Sequence, residues 1–435
     1  ENSSAAVNGM LQIQGPTRLR GTVVASGSKN AALPMMAAAL LADGPVCLCG
    51  VPRLRDVETQ AEVLRQLGLR VESSAHGLCL ETVDPSPIRA EYALVSRMRA
   101  SFCVLGPLLA RRGRAVVSLP GGCNIGPRPV DLHLRGLAAL GARLQLRQGY
   151  VHARADRLRG ATVDLAGPHG PTVTGTANVL SAAVLAQGTS ILLNAACEPE
   201  IADLGQMLNA MGAKISGLGT STLRVQGVER LQGVRYAIIP DRIEIGTLLL
   251  AAAMSQGEAT VCGAMPEHLA AILCALRQVG AEVEVGGDHV TVGAGARPRG
   301  AEITALPYPG IPTDLQAHWM ALLSVAHGSS VVRDRVFPGR WQHVGELRRL
   351  GADLQCCGEA VMIRGVPCLA GARVRASDLR ASAALVLAGL TAEGTTWIEE
   401  AEHLDRGYER LDEKLCQLGA EVRRCGPASA AQLTP

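Results

Sequence analysis

One short pattern, Leu-x-x-(Leu/Met/Val)-Gly-(Ala/Leu)-x-(Val/Leu/Ile), returns six times along the 435 residues, with its glycines at Gly68, Gly141, Gly212, Gly280, Gly351 and Gly419. The steps between those glycines are 73, 71, 68, 71 and 68 residues. Each copy has the form of a helix closed by a glycine just past its last turn and followed at once by a strand, as at residues 281–285. A second pattern precedes each copy by 23 to 28 residues: an Ala-rich apolar helix, a glycine (Gly44, Gly113, Gly188, Gly257, Gly328, Gly394) and a short strand. One unit thus holds a buried helix, a strand, an amphipathic helix and one or two further strands, joined by tight turns such as 216–219 and 286–288. A repeat of this length excludes a short β-solenoid, and two helices per unit argue against a propeller.

The Ala-rich helices at 31–41 and 245–254 are apolar nearly all round, so they are expected to be buried, with strands and amphipathic helices around them. A chain this long exceeds what one hydrophobic core serves well, and two domains follow. The spacing places repeats one to three in 28–237 and repeats four to six in 238–435, joined by 1–27. The fold class is α/β, built from six βαβαββ-type units around buried helices.

Charge and composition narrow the function. The 42 basic and 39 acidic residues leave a net charge of +3, too small to draw the chain to nucleic acid or membrane by bulk electrostatics. Aromatic residues make up 2%, which argues against base-stacking platforms. No apolar run reaches membrane-spanning length. The 13 cysteines include no C-x-x-C pair, and neither Cys47/Cys49 nor Cys356/Cys357 has the spacing of a zinc half-site. Cys103, Cys262, Cys274 and Cys416 sit among apolar residues and are expected to fill core space. All thiols are expected to be reduced, as in a cytoplasmic protein. The opening Glu1-Asn2-Ser3-Ser4 has neither the charged nor the apolar region of a secretory signal, and none is expected.

The least ordinary stretch is 119–133. After the strand-like run 115–119 it gathers Gly121, Gly122, Gly126, Pro120, Pro127 and Pro129 around Cys123 and Arg128, and then a helix begins. Such a loop presents a thiol to a ligand, and Arg128 favours its thiolate; an incidental surface cysteine is the competing reading. Lys29 follows Ser26-Gly27-Ser28 and opens an Ala-rich helix, where an ammonium and free N–H groups suit an anion, although a capped helix with a solvated lysine has the same sequence.

Several stretches together resemble the enolpyruvyl transferases, on the branch acting on UDP-N-acetylglucosamine. They are Gly27-Ser28-Lys29-Asn30, Met98-Arg99-Ala100-Ser101, the 119–133 loop, Pro240-Asp241-Arg242-Ile243-Glu244, Pro312-Thr313-Asp314-Leu315-Gln316, Asp378-Leu379-Arg380-Ala381-Ser382 and Leu404-Asp405-Arg406-Gly407-Tyr408-Glu409-Arg410. They keep order and spacing from about residue 11 to 423. The resemblance implies a two-domain inside-out α/β barrel with the active site between the domains. It also implies the substrates phosphoenolpyruvate and UDP-N-acetylglucosamine, no cofactor, no metal, and no obligate protein, nucleic-acid or membrane partner.

By the same resemblance Cys123 is the general acid for the methylene carbon and the thiol alkylated by fosfomycin. Asp314 accepts the sugar hydroxyl proton, and Lys29 and Arg406 complete the catalytic set. Asn30, Arg99, Arg128, Pro129, Val130, Asp131, Leu132, Thr172, Val173, Val336, Arg340, Asp378 and Arg380 are implied in substrate binding. Arginine suits this role because its planar fork holds phosphate or carboxylate with two hydrogen bonds. Asp314 and Asp378 each also read as helix N-caps.

Departures from the family pattern cluster near these positions. Phe337-Pro338-Gly339-Arg340-Trp341 replaces Phe-Glu-Asn-Arg-Phe, Cys197 stands where arginine is usual, Ile245 replaces threonine, and 169–171 lacks a lysine. They leave open a second acceptor, such as a uridine monophosphate in secondary metabolism. A catalytically silent nucleotide-binding paralogue is a third reading, opposed by the retention of Lys29, Cys123, Asp314 and Arg406.

Overall fold

The computed structural model describes residues 9–74, 77–121 and 130–426. The chain divides into two compact units: a continuous one, Gly27–Ile239, and a split one made of Glu1–Ser26 with Pro240–Pro435. Both are mixed α/β.

The continuous unit carries three four-stranded sheets with one recurring plan: a parallel outer pair, then two antiparallel pairs. The first runs Val234–Ala237, Val46–Cys49, Gly77–Thr82, Leu69–Ser74. The second runs Arg89–Ala90, Arg114–Ser118, Tyr150–Arg154, Arg143–Arg147. The third runs Thr162–Asp164, Thr189–Leu193, Thr222–Gln226, Lys214–Ser216. Each sheet buries one face: along Val46–Cys49 the buried Val46 and Leu48 alternate with half-exposed cysteines, as the two-residue period of a strand requires. Those faces cover the helix Lys29–Ala38, buried everywhere except Asn30, and the helix Val173–Ala183, buried from Gly175 onward.

The split unit repeats the plan. Two of its sheets run Arg20–Val24, Glu258–Cys262, His289–Gly293, Glu282–Val285 and Glu302–Ala305, Ser329–Asp334, Ala360–Arg364, Asp353–Cys357. In the third, Met10–Gly15 lies between Ala392–Glu399 and Glu421–Cys425, antiparallel to both. Every residue of the helices Arg242–Met254 and Gln316–Ser324 is buried, as expected for helices without a polar face.

The glycines that end the six amphipathic helices all take positive φ, from 84° at Gly68 to 108° at Gly212. A side chain there would be strained, which explains why glycine recurs at that point.

The cysteines depart from expectation in two ways. Cys274 and Cys416 are exposed and Cys262 is only half-buried, rather than core-filling: Cys274 and Cys416 are flanked in sequence by apolar residues but sit on the outer side of amphipathic helices. Cys103 does fill the core, and burial pushes its thiol up to about 12. Cys47 and Cys79, expected to be reduced, form a disulfide between neighbouring strands. No helix among the described residues is long and apolar enough to cross a membrane.

Candidate active site

In the split unit, residues far apart in sequence build a chain of alternating charge. Arg380 Nη2 donates to Asp314 Oδ2 at 3.1 Å, Arg340 Nη1 lies 3.6 Å from Asp314 Oδ1, and Arg340 Nη2 lies 3.6 Å from Asp378 Oδ1. The two guanidinium groups are buried, at 6% and 4% side-chain exposure, whereas Asp314 keeps 29%. The carboxylate is therefore the accessible member of the chain, with two cations behind it.

Local structure delivers each residue. Asp314 lies in the short turn Thr313–Leu315 just before the buried helix Gln316–Ser324; Pro312 holds the N-cap position of the turn and Leu315 that of the helix, so Asp314 occupies neither, and its carboxylate reaches the arginines. Asp378 does cap its helix, Leu379–Thr391, accepting from the N–H groups of Arg380 at 2.9 Å and Ala381 at 3.2 Å. Burial pushes Asp378 up, but Arg340 and those two donors outweigh it and hold the carboxyl below its ordinary range.

Arg340 arrives by a tight turn. The N–H of Arg340 donates to Phe337 O at 3.2 Å, and Gly339 has φ 85°. Proline then glycine at the two central positions is the combination a type II turn demands, so the unusual Pro338-Gly339 pair is a local way of placing Arg340. Asp334 pins the same segment: its Oδ1 accepts from the N–H groups of Val336 at 2.9 Å and Phe337 at 2.8 Å, and its Oδ2 from Thr313 Oγ1 at 2.5 Å. Val336 is thus positioned by its backbone.

Behind Arg380 lies a buried polar row absent from the sequence reading. The guanidinium sits 5.1 Å from the centre of the Tyr408 ring, whose hydroxyl lies 3.0 Å from both His318 Nε2 and Thr247 Oγ1. Burial, reinforced by Arg380, holds His318 well below its ordinary range, so the ring is neutral. Arg380 Nη1 is buried with no hydrogen-bond partner among the described residues, a spare donor. Arg406 ends the turn Ala401–Arg406, which Arg424 anchors through Asp405 (2.7 Å) and Asp412 (2.8 Å).

The continuous unit holds the other implied residues. Ser28 caps the helix Lys29–Ala38 by accepting from Ala31 N, and Lys29 Nζ pairs with Asp56 Oδ2 at 3.0 Å, both side chains being less than 10% exposed. Asp56, in the first turn of the next helix, was not singled out in the sequence. Asn30 and Arg99 are half-exposed. Thr172 caps Val173–Ala183 through Gly175 N, and Val173 is exposed. Val130 and Leu132 are half-exposed and Asp131 exposed, at the start of the helix Asp131–Ala139. The next residue, His133, is locked: its Nδ1 accepts from Asn178 Nδ2 at 3.0 Å, which leaves Nε2–H to donate to Thr174 Oγ1 at 3.2 Å. Cys123, Arg128 and Pro129 lie outside the described residues. Among the described residues no group of three or more His, Cys, Asp or Glu side chains is placed to hold a metal.

Comparison with known proteins agrees along the whole length. The chain is 49% identical over 417 residues to UDP-N-acetylglucosamine 1-carboxyvinyltransferase of Desulfosudis oleivorans, covering 95% of this chain and 99% of that one. It is 50% identical over 417 residues to the protein of the same name from Halorhodospira halophila, with the same coverage. Among solved structures, the enolpyruvyl transferase NikO from Streptomyces tendae superposes with a TM-score of 0.85 at 28% identity, covering 97% of this chain and 99% of that one. EPSP synthase from Acinetobacter baumannii, at 17% identity and a TM-score of 0.75 over 96% of this chain and all of that one, shares the fold. The sequence profile of the EPSP synthase family matches residues 13–415, and the chain therefore belongs to the EPSP synthase (3-phosphoshikimate 1-carboxyvinyltransferase) family.

Proposed function

We propose that this protein transfers the enolpyruvyl group of phosphoenolpyruvate to the 3-hydroxyl of UDP-N-acetylglucosamine and releases phosphate, the first committed step of peptidoglycan synthesis. The observation that carries this reading is the half-identity, end to end, to relatives named for that reaction. The assigned setting is the cytoplasm. The fold reading that accompanies it is a two-domain inside-out α/β barrel of six repeated units, three in 28–237 and three in 238–435 with 1–27; six sheets of one recurring plan support it.

The reaction adds a hydroxyl across an enol ether and then expels phosphate. It needs cations for a phosphate and a carboxylate, a proton donor for the methylene carbon and an acceptor for the hydroxyl proton. In this reading Asp314, the most accessible carboxylate of the charge chain, accepts that proton, and the guanidinium groups of Arg340 and Arg380 fix its orientation. Lys29 and Arg406 hold phosphoenolpyruvate, and the spare Nη1 donor of Arg380 adds a charge-assisted hydrogen bond to the same anion. Cys123 delivers the proton to carbon. Asn30, Arg99, Arg128 to Leu132, Thr172, Val173 and Val336 bind the sugar nucleotide, and Asp378 keeps Arg340 in place.

The second reading, transfer to another nucleotide such as a uridine monophosphate, draws on the changed residues beside Arg340 and at Cys197. Phosphate release measured with both acceptors separates the two. Turnover with UDP-N-acetylglucosamine is the expected result, and turnover with the monophosphate alone would replace the first reading by the second. Nucleotide binding without any phosphate release would instead establish the silent paralogue.

A further inference from the structure

Across the first sheet of the continuous unit, Arg235, Cys47, Cys79 and Glu72 stand opposite one another in a single row, one residue per strand. Their strand neighbours Val46, Leu48, Leu78, Leu80 and Val71 are buried, so this row faces outward. Cys47 and Cys79 are directly paired, with Cα atoms 4.1 Å apart. That is near the roughly 4.5 Å of a non-hydrogen-bonded antiparallel pair, so the strand register alone brings the two sulfurs together.

The disulfide lies in a groove of about 600 Å³ lined by Cys47, Cys49, Cys79, Ser74, Arg235 and Gln232, among others. That is within the range of about 300–1,000 Å³ typical of small-molecule clefts. The acids nearby are already engaged: Asp43 pairs with Arg111, and Glu72 lies 3.5 Å from Arg70. Arg235 makes no ion pair among the described residues, so the groove offers one uncommitted cation beside an accessible disulfide.

We propose that this groove is a thiol–disulfide exchange site whose partner is an anionic, peptide-sized thiol of the glutathione class. The incoming thiolate attacks Cys79 Sγ. The Cys47–Cys79 bond breaks, a mixed disulfide forms on Cys79, and Cys47 leaves as a thiolate favoured by Arg235 before taking a proton. A second thiolate then attacks the external sulfur of the mixed disulfide and expels Cys79. In sum two small thiols lose two electrons and two protons to become one small disulfide, and the protein disulfide gains both to become two thiols. Arg235 recruits the anion through a carboxylate. The site uses none of the residues assigned to enolpyruvyl transfer.

The test uses the full chain in native buffer with glutathione or uncharged 2-mercaptoethanol at matched thiolate concentration, quenched with acid, alkylated and peptide-mapped. Glutathione is expected to open Cys47–Cys79 about fivefold faster, the order of one exposed ion contact, and Arg235→Ala is expected to erase the difference. Cys47→Ser leaves Cys79 as a free thiol; given oxidised glutathione instead, its thiolate is expected to attack that disulfide, keep one glutathione as a stable adduct on Cys79 and release the other as a thiol. A bond that opens only after denaturation, adducts confined to Cys49 or Cys123, or equal rates for the two thiols would each overturn the proposal.

Discussion

Arg380 reaches Asp314 at 3.1 Å across a sequence separation of 66 residues, and the cation is the more deeply buried of the two. The proposed base is thus held by a guanidinium that cannot leave for solvent. Asp314→Asn keeps the shape but removes the proton acceptor and one counter-charge for Arg340 and Arg380. Turnover is expected to fall by at least about a hundredfold, the usual yield of one general base. Stability is expected to fall by about 1–2 kcal/mol, less than for a fully buried pair because Asp314 is partly exposed. Nucleotide affinity should stay near that of the parent; phosphate-release kinetics beside calorimetry and urea unfolding measure all three, and unchanged turnover would remove Asp314 from its role.

Lys29 and Asp56 make the same point in a drier setting. Each is less than 10% exposed, so removing one partner leaves the other's buried charge without this counter-charge. Lys29→Met alone is expected to cost about 3 kcal/mol in stability, whereas Lys29→Met with Asp56→Leu costs less than either single change. Denaturant midpoints of the four proteins close this cycle, and additive losses would mean the pair is not coupled.

Arg424 is placed to act at a distance through the turn that ends in Arg406. It is 40% exposed, so Arg424→Ala is expected to cost no more than about 1 kcal/mol in stability. The turn it anchors should nevertheless loosen and raise KM for phosphoenolpyruvate several-fold with little change for the nucleotide. Arg424→Lys cannot reproduce a fork held by two carboxylates and should behave like the alanine variant. Equal changes in both KM values would point to general destabilisation instead.

His343 links the same region to pH. Burial, with Arg340 nearby, holds its imidazole at about 4 against an ordinary 6.5, despite the opposing pull of Asp378. The unfolded chain therefore takes up the proton first. The stability contributed by the neutral ring is complete above pH 6.5 and is lost as pH falls toward 4, at up to about 1.4 kcal/mol per pH unit. Unfolding free energies between pH 7 and 5 should show this slope, and His343→Gln should flatten it. A slope unaltered by that substitution would assign the acid sensitivity to His318 or to other groups.

Much of the local structure was legible because it follows from backbone chemistry. The helix-ending glycines had to be glycine once φ is positive, and helices without a polar face had to be buried. Asp378 was readable as a cap for the same reason. What the sequence did not reveal was pairing across distance. Asp56, Asp334, Arg424 and the Tyr408–His318 contact all depend on which elements lie side by side. Asp334 did leave a trace, since an aspartate shortly before Pro338-Gly339 is a turn signal. Cys274 and Cys416 misled because apolar sequence neighbours do not show which way a helical side chain points. Cys47 and Cys79 were both in view, but only strand register joins them.

The interior position of Met10–Gly15, between Ala392–Glu399 and Glu421–Cys425, has a consequence for biosynthesis. Of the described strands this one is made first, yet both of its partners are made after every strand and helix of Gly27–Ile239. At about 5–20 residues per second, the strand spends roughly 20–80 seconds without them during translation. All the strands and helices of Gly27–Ile239 emerge within that interval. The ribosome thus completes the continuous unit while both edges of Met10–Gly15 still stand open, and an unpaired strand edge is a template for wrong pairing.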